Sequence, residues 1–234
     1  MQALLIIKTG STFPALREQI GDFEHWIERV ASSVGRPTVT LDARQATALP
    51  DAQQFAGIII TGSHAMVSEC EPWSEALVPW LRHAVALQRP LLGICYGHQL
   101  LAHALGGKVG FHPAGIEIGT VPIHPTAAAR QDRLFQALPP WFAGQTVHRQ
   151  SVLQLPPGAV LLAGNAFEPH HAFRVGTCAW GVQFHPEFGT AAMQGYIRQM
   201  QTDLAREGQH PEALQAAVTD TPEACTLLQR FCQP

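Results

Sequence analysis

The sequence predicts an α/β fold built as a doubly wound, open, mostly parallel sheet. Two observations carry that expectation. Short apolar runs alternate along the 234 residues with longer amphipathic stretches, the pattern of parallel strands covered on both faces by helices. The residue types with reactive chemistry stand at the ends of three of those runs, and ligands of open α/β sheets bind beyond the carboxyl ends of the strands. With 46% hydrophobic residues the chain can bury a substantial core, as one domain or two small ones. The expectation is a single domain over 1–234, with its core in about 1–190 and a helical C-terminal tail over about 191–232.

The elements follow in order. Ala3–Lys8 is an apolar first strand, and Ala15–Val34 has the spacing of one long amphipathic helix. Thr38–Leu41 and Gly57–Thr61 are the next strands. Trp73–Leu87 is a helix, Leu91–Cys95 a buried strand and Gly97–Leu105 the helix that leaves it. Four further strands are expected at Gly119–Ile123, Thr146–His148, Val160–Asn165 and Trp180–Phe184. Helices then cover Ala191–Glu207 and Pro211–Phe231, the second broken near Thr221-Pro222, where a Thr cap and a Pro in the first turn signal a new start. The whole is flavodoxin-like in the wider sense.

Composition narrows the function. A net charge of −3, a charged fraction of 14% and only two lysines, Lys8 and Lys108, give no basic surface of the kind that nucleic acid requires. No apolar run reaches membrane-spanning length, and the opening Met1–Lys8 lacks the basic flank and the length of a signal peptide. Five cysteines, at 70, 95, 178, 225 and 232, lack the paired spacing of zinc or redox motifs, and the odd count suits a reducing compartment. The expectations are a cytoplasmic protein with no metal, no cofactor, no nucleic-acid partner and no membrane. His170-His171 is not expected to bind metal, because adjacent side chains diverge and no flanking Cys or Asp completes a ligand set.

The chemistry concentrates in two motifs. Gly93-Ile94-Cys95-Tyr96-Gly97 joins the strand to the helix with one reactive side chain at the corner. It is a nucleophile elbow containing a thiol: the central residue occupies a sharp turn where neighbouring side chains would clash, so both flanks are Gly. The helix that starts there favours thiolate and offers backbone N–H groups to an oxyanion. A thiolate nucleophile needs a base, and the base needs an orienting group. His185-Pro186-Glu187 supplies both, since two-residue spacing on an extended chain puts imidazole and carboxylate on one side, and Pro186 restricts His185 to extended geometry.

Other features read more plainly. His98 and His103 on the elbow helix are expected to pack or face solvent, and Phe23, Trp26, Trp73 and Trp80 to serve as core or interface anchors. His64 lies in a loop close enough to Gly62 to line a pocket, and His64–Pro72 forms a solvated loop that could act as a lid.

Together with Ile60-Thr61-Gly62-Ser63, His98-Gln99-Leu100-Leu101, Leu105-Gly106-Gly107, and His148 followed by Val152, these motifs resemble the class I, triad-type glutamine amidotransferases. The similarity is greatest to the amidotransferase domain of GMP synthase and its free-standing relatives. The motifs occur in the family's order across most of 1–190. The resemblance implies hydrolysis of the glutamine side-chain amide through a γ-glutamyl thioester on Cys95, with His185 moving the proton and Glu187 orienting it. It implies an oxyanion hole from the backbone N–H groups of Gly62 and Tyr96. Gln99, the backbone around Arg149 and Gln150, and His64 would hold the substrate. GMP synthase domains commonly carry Asp where Gln150 stands, so a charge near the substrate ammonium is missing here.

Three functions remain open: a glutaminase that passes ammonia to a separate ATP-dependent synthetase, a free-standing γ-glutamyl peptide or amide hydrolase with the same triad, and a non-catalytic binding relative. An intact Cys95, His185 and Glu187 argues against the third. Closeness to the GMP synthase domain favours the first.

Overall fold

A computed structural model describes residues 2–233. Eleven strands alternate with seven helices: β1 (Leu4–Lys8), α1 (Pro14–Ile20), α2 (Phe23–Ser33), β2 (Thr38–Asp42), β3 (Gly57–Ile60), α3 (Pro72–Ala86), β4 (Leu91–Ile94), α4 (Tyr96–Ala104), β5 (Lys108–Phe111), β6 (Glu117–Pro125), β7 (Phe142–His148), β8 (Gln150–Gln154), β9 (Val160–Gly164), β10 (Ala172–Val175), β11 (Ala179–Val182), α5 (Thr190–Arg206), α6 (Pro211–Ala216) and α7 (Pro222–Cys232). Nine strands form one mixed sheet in the order β2-β1-β3-β4-β11-β10-β9-β6-β7, and β5 pairs with β8 in a second, two-stranded sheet. The first five strands run parallel. From β11 onward the neighbours are antiparallel.

Side-chain alternation explains the double winding. Leu4 and Ile6 of β1 face one core with Ile59, Leu92 and Ile94, closed by Ile27 of α2 and Leu227, Leu228 and Phe231 of α7. Leu5 and Ile7 face the other with Ile58 and Ile60, closed by Leu77 and Leu81 of α3 and Leu100 and Leu101 of α4. Strands β1, β3 and β4 are thus apolar on both faces, as buried parallel strands must be. Each such side chain contributes roughly 1.5–3 kcal/mol on full burial. A third cluster, joining Leu16, Phe23 and Trp26 to Ile116, Ile118 and Tyr196, sets α5 beside the first two helices.

Several expectations change in detail. The long helix expected over Ala15–Val34 breaks at Gly21-Asp22: Gly21 takes φ 91°, and Asp22 caps α2 in a capping box with His25. Asp22 also accepts from Lys8 Nζ at 2.8 Å and from the Thr12 N–H at 2.8 Å, so the break ties the helix to the end of β1. Three strands were not expected, β5, β8 and β10; β5 is solvent-facing at both ends and carries no apolar run. Strands β6 and β7 extend well beyond the short runs that announced them, and β11 stops at Val182. The C-terminal helix is part of the core: Leu227 and Leu228 are fully buried, and Arg36 Nε donates to the Cys232 carbonyl at 2.8 Å. No described helix is long and apolar enough to cross a membrane.

Candidate active site

The sharp corner between β4 and α4 forces the thiol outward. Cys95, the residue that caps α4, sits at φ 50° and ψ −99°, a region that non-glycine residues adopt only where surroundings compel it. A Cβ on Gly93 would lie 2.3 Å from the Gly97 carbonyl oxygen, and one on Gly97 would lie 2.5 Å from that of Ile60. Both glycines are therefore required by close backbone approach, as the elbow reading expected.

The neighbouring loop is equally constrained. Thr9 Oγ1 lies 2.9 Å from the Thr61 carbonyl and 3.1 Å from that of Gly62, while Thr61 Oγ1 accepts from the Thr9 N–H at 3.0 Å. A Cβ on Gly62 would stand 2.9 Å from Cε1 of His185. The backbone N–H groups of Gly62 and Tyr96 have no acceptor among the described residues.

Topology brings His185 to the elbow. Strand β11 lies parallel to β4 with Val182 opposite Ile94, so the chain leaving β11 passes the elbow within three residues. His185 is buried, its N–H donates to the Gln145 carbonyl at 2.8 Å, and its Nδ1 lies 2.8 Å from Glu187 Oε1. The pairing was expected on extended chain; it occurs on a turn, with the Phe188 N–H closing back on the His185 carbonyl at 3.3 Å. The ring packs against Phe188 at 4.1 Å and Phe23 at 6.0 Å between centroids, and those two rings also stack on each other at 6.2 Å. Burial alone would lower its pKa, but the Glu187 carboxylate and the charge of Cys95 outweigh that and push it up to about 10. With Nδ1 committed to Glu187, Nε2 is the nitrogen left for chemistry, buried and with no hydrogen-bond partner among the described residues.

The other expected residues line the same cavity of about 180 Å³, which includes Cys95, Tyr96, His185, Gln99, Arg149, Gln150 and His64. Gln99 donates from Nε2 to the Gln150 carbonyl at 2.7 Å and to Gln183 Oε1 at 3.0 Å. The Gln150 side chain turns away to Ser68, with Nε2 2.5 Å from Oγ and Oε1 3.3 Å from the N–H. It anchors the 64–72 loop. Arg149 reaches the Glu207 carboxylate at 2.7 Å. His64 Nε2 lies 3.0 Å from the Tyr196 hydroxyl at the rim.

Sequence reasoning missed the apolar part of the lining. Phe13, Phe23, Ile116, Tyr196 and Met200 also line the cavity. Phe23, expected as a core or interface anchor, packs against the His185 imidazole. These side chains come from four separate places in the chain, and no local pattern marks their convergence. Outside the cavity, Cys70, Glu75 and His103 place donor atoms within 4.8 Å of one another; His103 Nε2 and Glu75 Oε1 are already joined at 2.9 Å.

The family model for class-I glutamine amidotransferases matches residues 17–201. A GMP synthase from Aeropyrum pernix is 35% identical over 170 residues, covering 71% of this chain and 31% of that protein. A γ-glutamyl-L-1-hydroxyisopropylamide hydrolase from a Pseudomonas species is 28% identical, covering 67% of this chain and 55% of its own. The chain thus spans about a third to about half of the length of these relatives. In fold, a glutamine amidotransferase from Thermotoga maritima superposes with a TM-score of 0.77 over 99% of this chain and 96% of that one, at 20% identity. One from Methylobacillus flagellatus gives 0.73 over 99% and 92%, at 21% identity.

Proposed function

The chain belongs to the class-I glutamine amidotransferase family, and on that premise we propose that it hydrolyses γ-glutamyl amide bonds through a thioester on Cys95. The observation that carries this reading is the elbow: a thiol at φ 50° on a helix N-terminus, beside a buried imidazole held by a carboxylate at 2.8 Å. The raised pKa of His185 favours an imidazolium facing a thiolate. Sulfur attacks the γ-carbonyl carbon, and the resulting oxyanion is received by the free N–H groups of Gly62 and Tyr96, an arrangement typically contributing about 3–4 kcal/mol per donor. Collapse breaks the C–N bond, with the proton on His185 Nε2 passing to the leaving nitrogen. Water then gives a proton to His185 Nε2 and adds to the thioester carbonyl, and cleavage of the C–S bond releases the γ-carboxyl product and frees the Cys95 sulfur beside the reprotonated ring. Glu187 orients the ring throughout.

The leaving nitrogen departs on the His185 side, beside Phe23, and Phe13, Ile116 and Met200 add apolar surface to the same cavity. Ammonia gains nothing from such a surface, whereas an apolar substituent on the amide nitrogen does. That observation favours a free-standing hydrolase of N-substituted γ-glutamyl amides or peptides. The second reading, glutamine hydrolysis feeding ammonia to a separate ATP-dependent synthetase, is supported by the likeness to GMP synthase.

Glutamate release by wild-type protein and Cys95→Ala, from glutamine and from a panel of γ-glutamyl peptides, tests both. Cys95-dependent turnover faster on peptides is the expected result. Turnover confined to glutamine and stimulated by an added synthetase would select the second reading. Equal activity in Cys95→Ala would end the mechanism.

A further inference from the structure

Behind the substrate wall lies a buried polar relay that the chemistry above does not use. Glu117 and His148 are cross-strand partners in the β6–β7 ladder, and both are buried. His148 Nε2 lies 2.9 Å from Glu117 Oε2, and the other carboxylate oxygen accepts from Asn165 Nδ2 at 2.8 Å. His171 Nε2 approaches the same carboxylate at 3.3 Å. The far nitrogen of the ring, His148 Nδ1, lies 3.0 Å from the Gln150 carbonyl. A carbonyl only accepts, so Nδ1 carries the hydrogen. That same oxygen also receives Gln99 Nε2 at 2.7 Å.

The consequence falls on Gln99. Its two amide hydrogens are committed to the Gln150 carbonyl and to Gln183 Oε1. Oε1 is the polar atom left for the cavity, and it is an acceptor. The amide is oriented by a carbonyl whose own position is set from behind by His148.

We infer that His148, anchored by Glu117, is a positioning residue for substrate recognition: through the Gln150 carbonyl it holds Gln99 with its amide oxygen toward the α-ammonium of a γ-glutamyl substrate. This rests on the reading of the site as a γ-glutamyl hydrolase. It also accounts for how the site manages with Gln150, whose side chain is spent on Ser68. An oriented neutral acceptor serves the ammonium, so a misdirected amide weakens binding while leaving the triad intact.

The test compares L-γ-glutamyl-p-nitroanilide with glutaryl-p-nitroanilide, which lacks only the amino group. Wild-type protein is expected to prefer the first. His148→Asn places an amide donor near the Nδ1 position and is expected to retain that preference. His148→Gln, whose amide reaches toward Glu117 instead, is expected to raise KM for the γ-glutamyl compound about tenfold, the loss of roughly one hydrogen bond. Its kcat and its KM for the glutaryl compound should stay near wild type. In a Gln99→Met background the same substitution should add no further loss of preference, because coupled residues are not additive.

A purely structural role predicts the reverse: both substrates suffer equally, and His148→Gln, which keeps the Glu117 contact, outperforms His148→Asn. Either result overturns the inference. If His148→Gln does not fold, Glu117→Asp carries the test by withdrawing the carboxylate from the ring, with the same selective rise in KM expected. Absence of Cys95-dependent turnover of either anilide by wild-type protein would instead overturn the hydrolase reading, and the inference with it.

Discussion

The two halves of the large sheet do different work. The parallel half, β2-β1-β3-β4-β11, delivers Gly62, Cys95 and His185 from the carboxyl ends of three adjacent strands, each within three residues of a strand's last paired position. The antiparallel half, with the small β5–β8 sheet, delivers Glu117, His148 and Gln150 from the first residue of β6, the last of β7 and the first of β8, all within the ladders. On the proposed mechanism the reacting groups come from positions where backbone N–H groups and a helix N-terminus are free. The groups proposed to set substrate recognition come from a region whose hydrogen bonds are already committed to one another. On that reading, attacking the amide and choosing the amide are separable.

The largest expected effect lies in the parallel half. Cys95→Ala and His185→Ala should each lower kcat by about 10³-fold or more, and the double variant should be scarcely worse, because nucleophile and base act as a unit. Steady-state rates measured on protein with an unchanged circular dichroism spectrum check this. Next is a core change remote from the cavity: Leu228→Ala on α7, fully buried, should cost about 2–5 kcal/mol in urea unfolding while leaving kcat per folded molecule unchanged. A loss of kcat there would blur the separation between scaffold and site. Gly97→Ala should cost about 1–3 kcal/mol and also slow turnover, since the added methyl meets the Ile60 carbonyl and displaces the elbow.

Smaller effects sharpen the comparison from the other side. Phe23→Ala should narrow the preference for bulky leaving groups over ammonia, checked by kcat/KM for a γ-glutamyl anilide against glutamine. The smallest concerns acid. Burial raises the Glu117 pKa, yet the hydrogen bond with His148 and the close approach of His171 prevail and hold the carboxyl well below its ordinary value of 4.5. A depressed carboxylate contributes stability that is complete above that ordinary value and is lost as pH falls toward the folded one. Urea midpoints should therefore drop more steeply below about pH 4.5 in wild-type protein than in Glu117→Gln. Parallel curves would deny the ion pair its share.

How much of this was legible follows from how local each signal is. Gly93, Cys95 and Gly97 could be read because the clashes that demand the glycines lie within a few residues or on the adjoining strand. His185 and Glu187 were legible as a pair because they are two residues apart, although the turn that joins them was not. The break at Gly21-Asp22 had a local signal, a Gly followed by a capping Asp, which the helical periodicity on either side masked. Strands β5, β8 and β10 had none, since their pairing and burial are set by distant partners. Phe13, Phe23 and Tyr196 meet only through the packing of α1, α2 and α5, so their common wall was invisible along the chain. The Gln150 side chain shows the same limit: its position near the substrate was inferred, and its commitment to Ser68 depends on a contact 82 residues away.

The most direct test of the central claim is to trap the intermediate. Protein mixed with a γ-glutamyl amide, quenched in acid within seconds and digested, should carry a γ-glutamyl adduct on the peptide containing Cys95, labile to hydroxylamine and absent from Cys95→Ser. An adduct on another residue, or continued hydrolysis by Cys95→Ser with no adduct at all, would contradict the thioester mechanism.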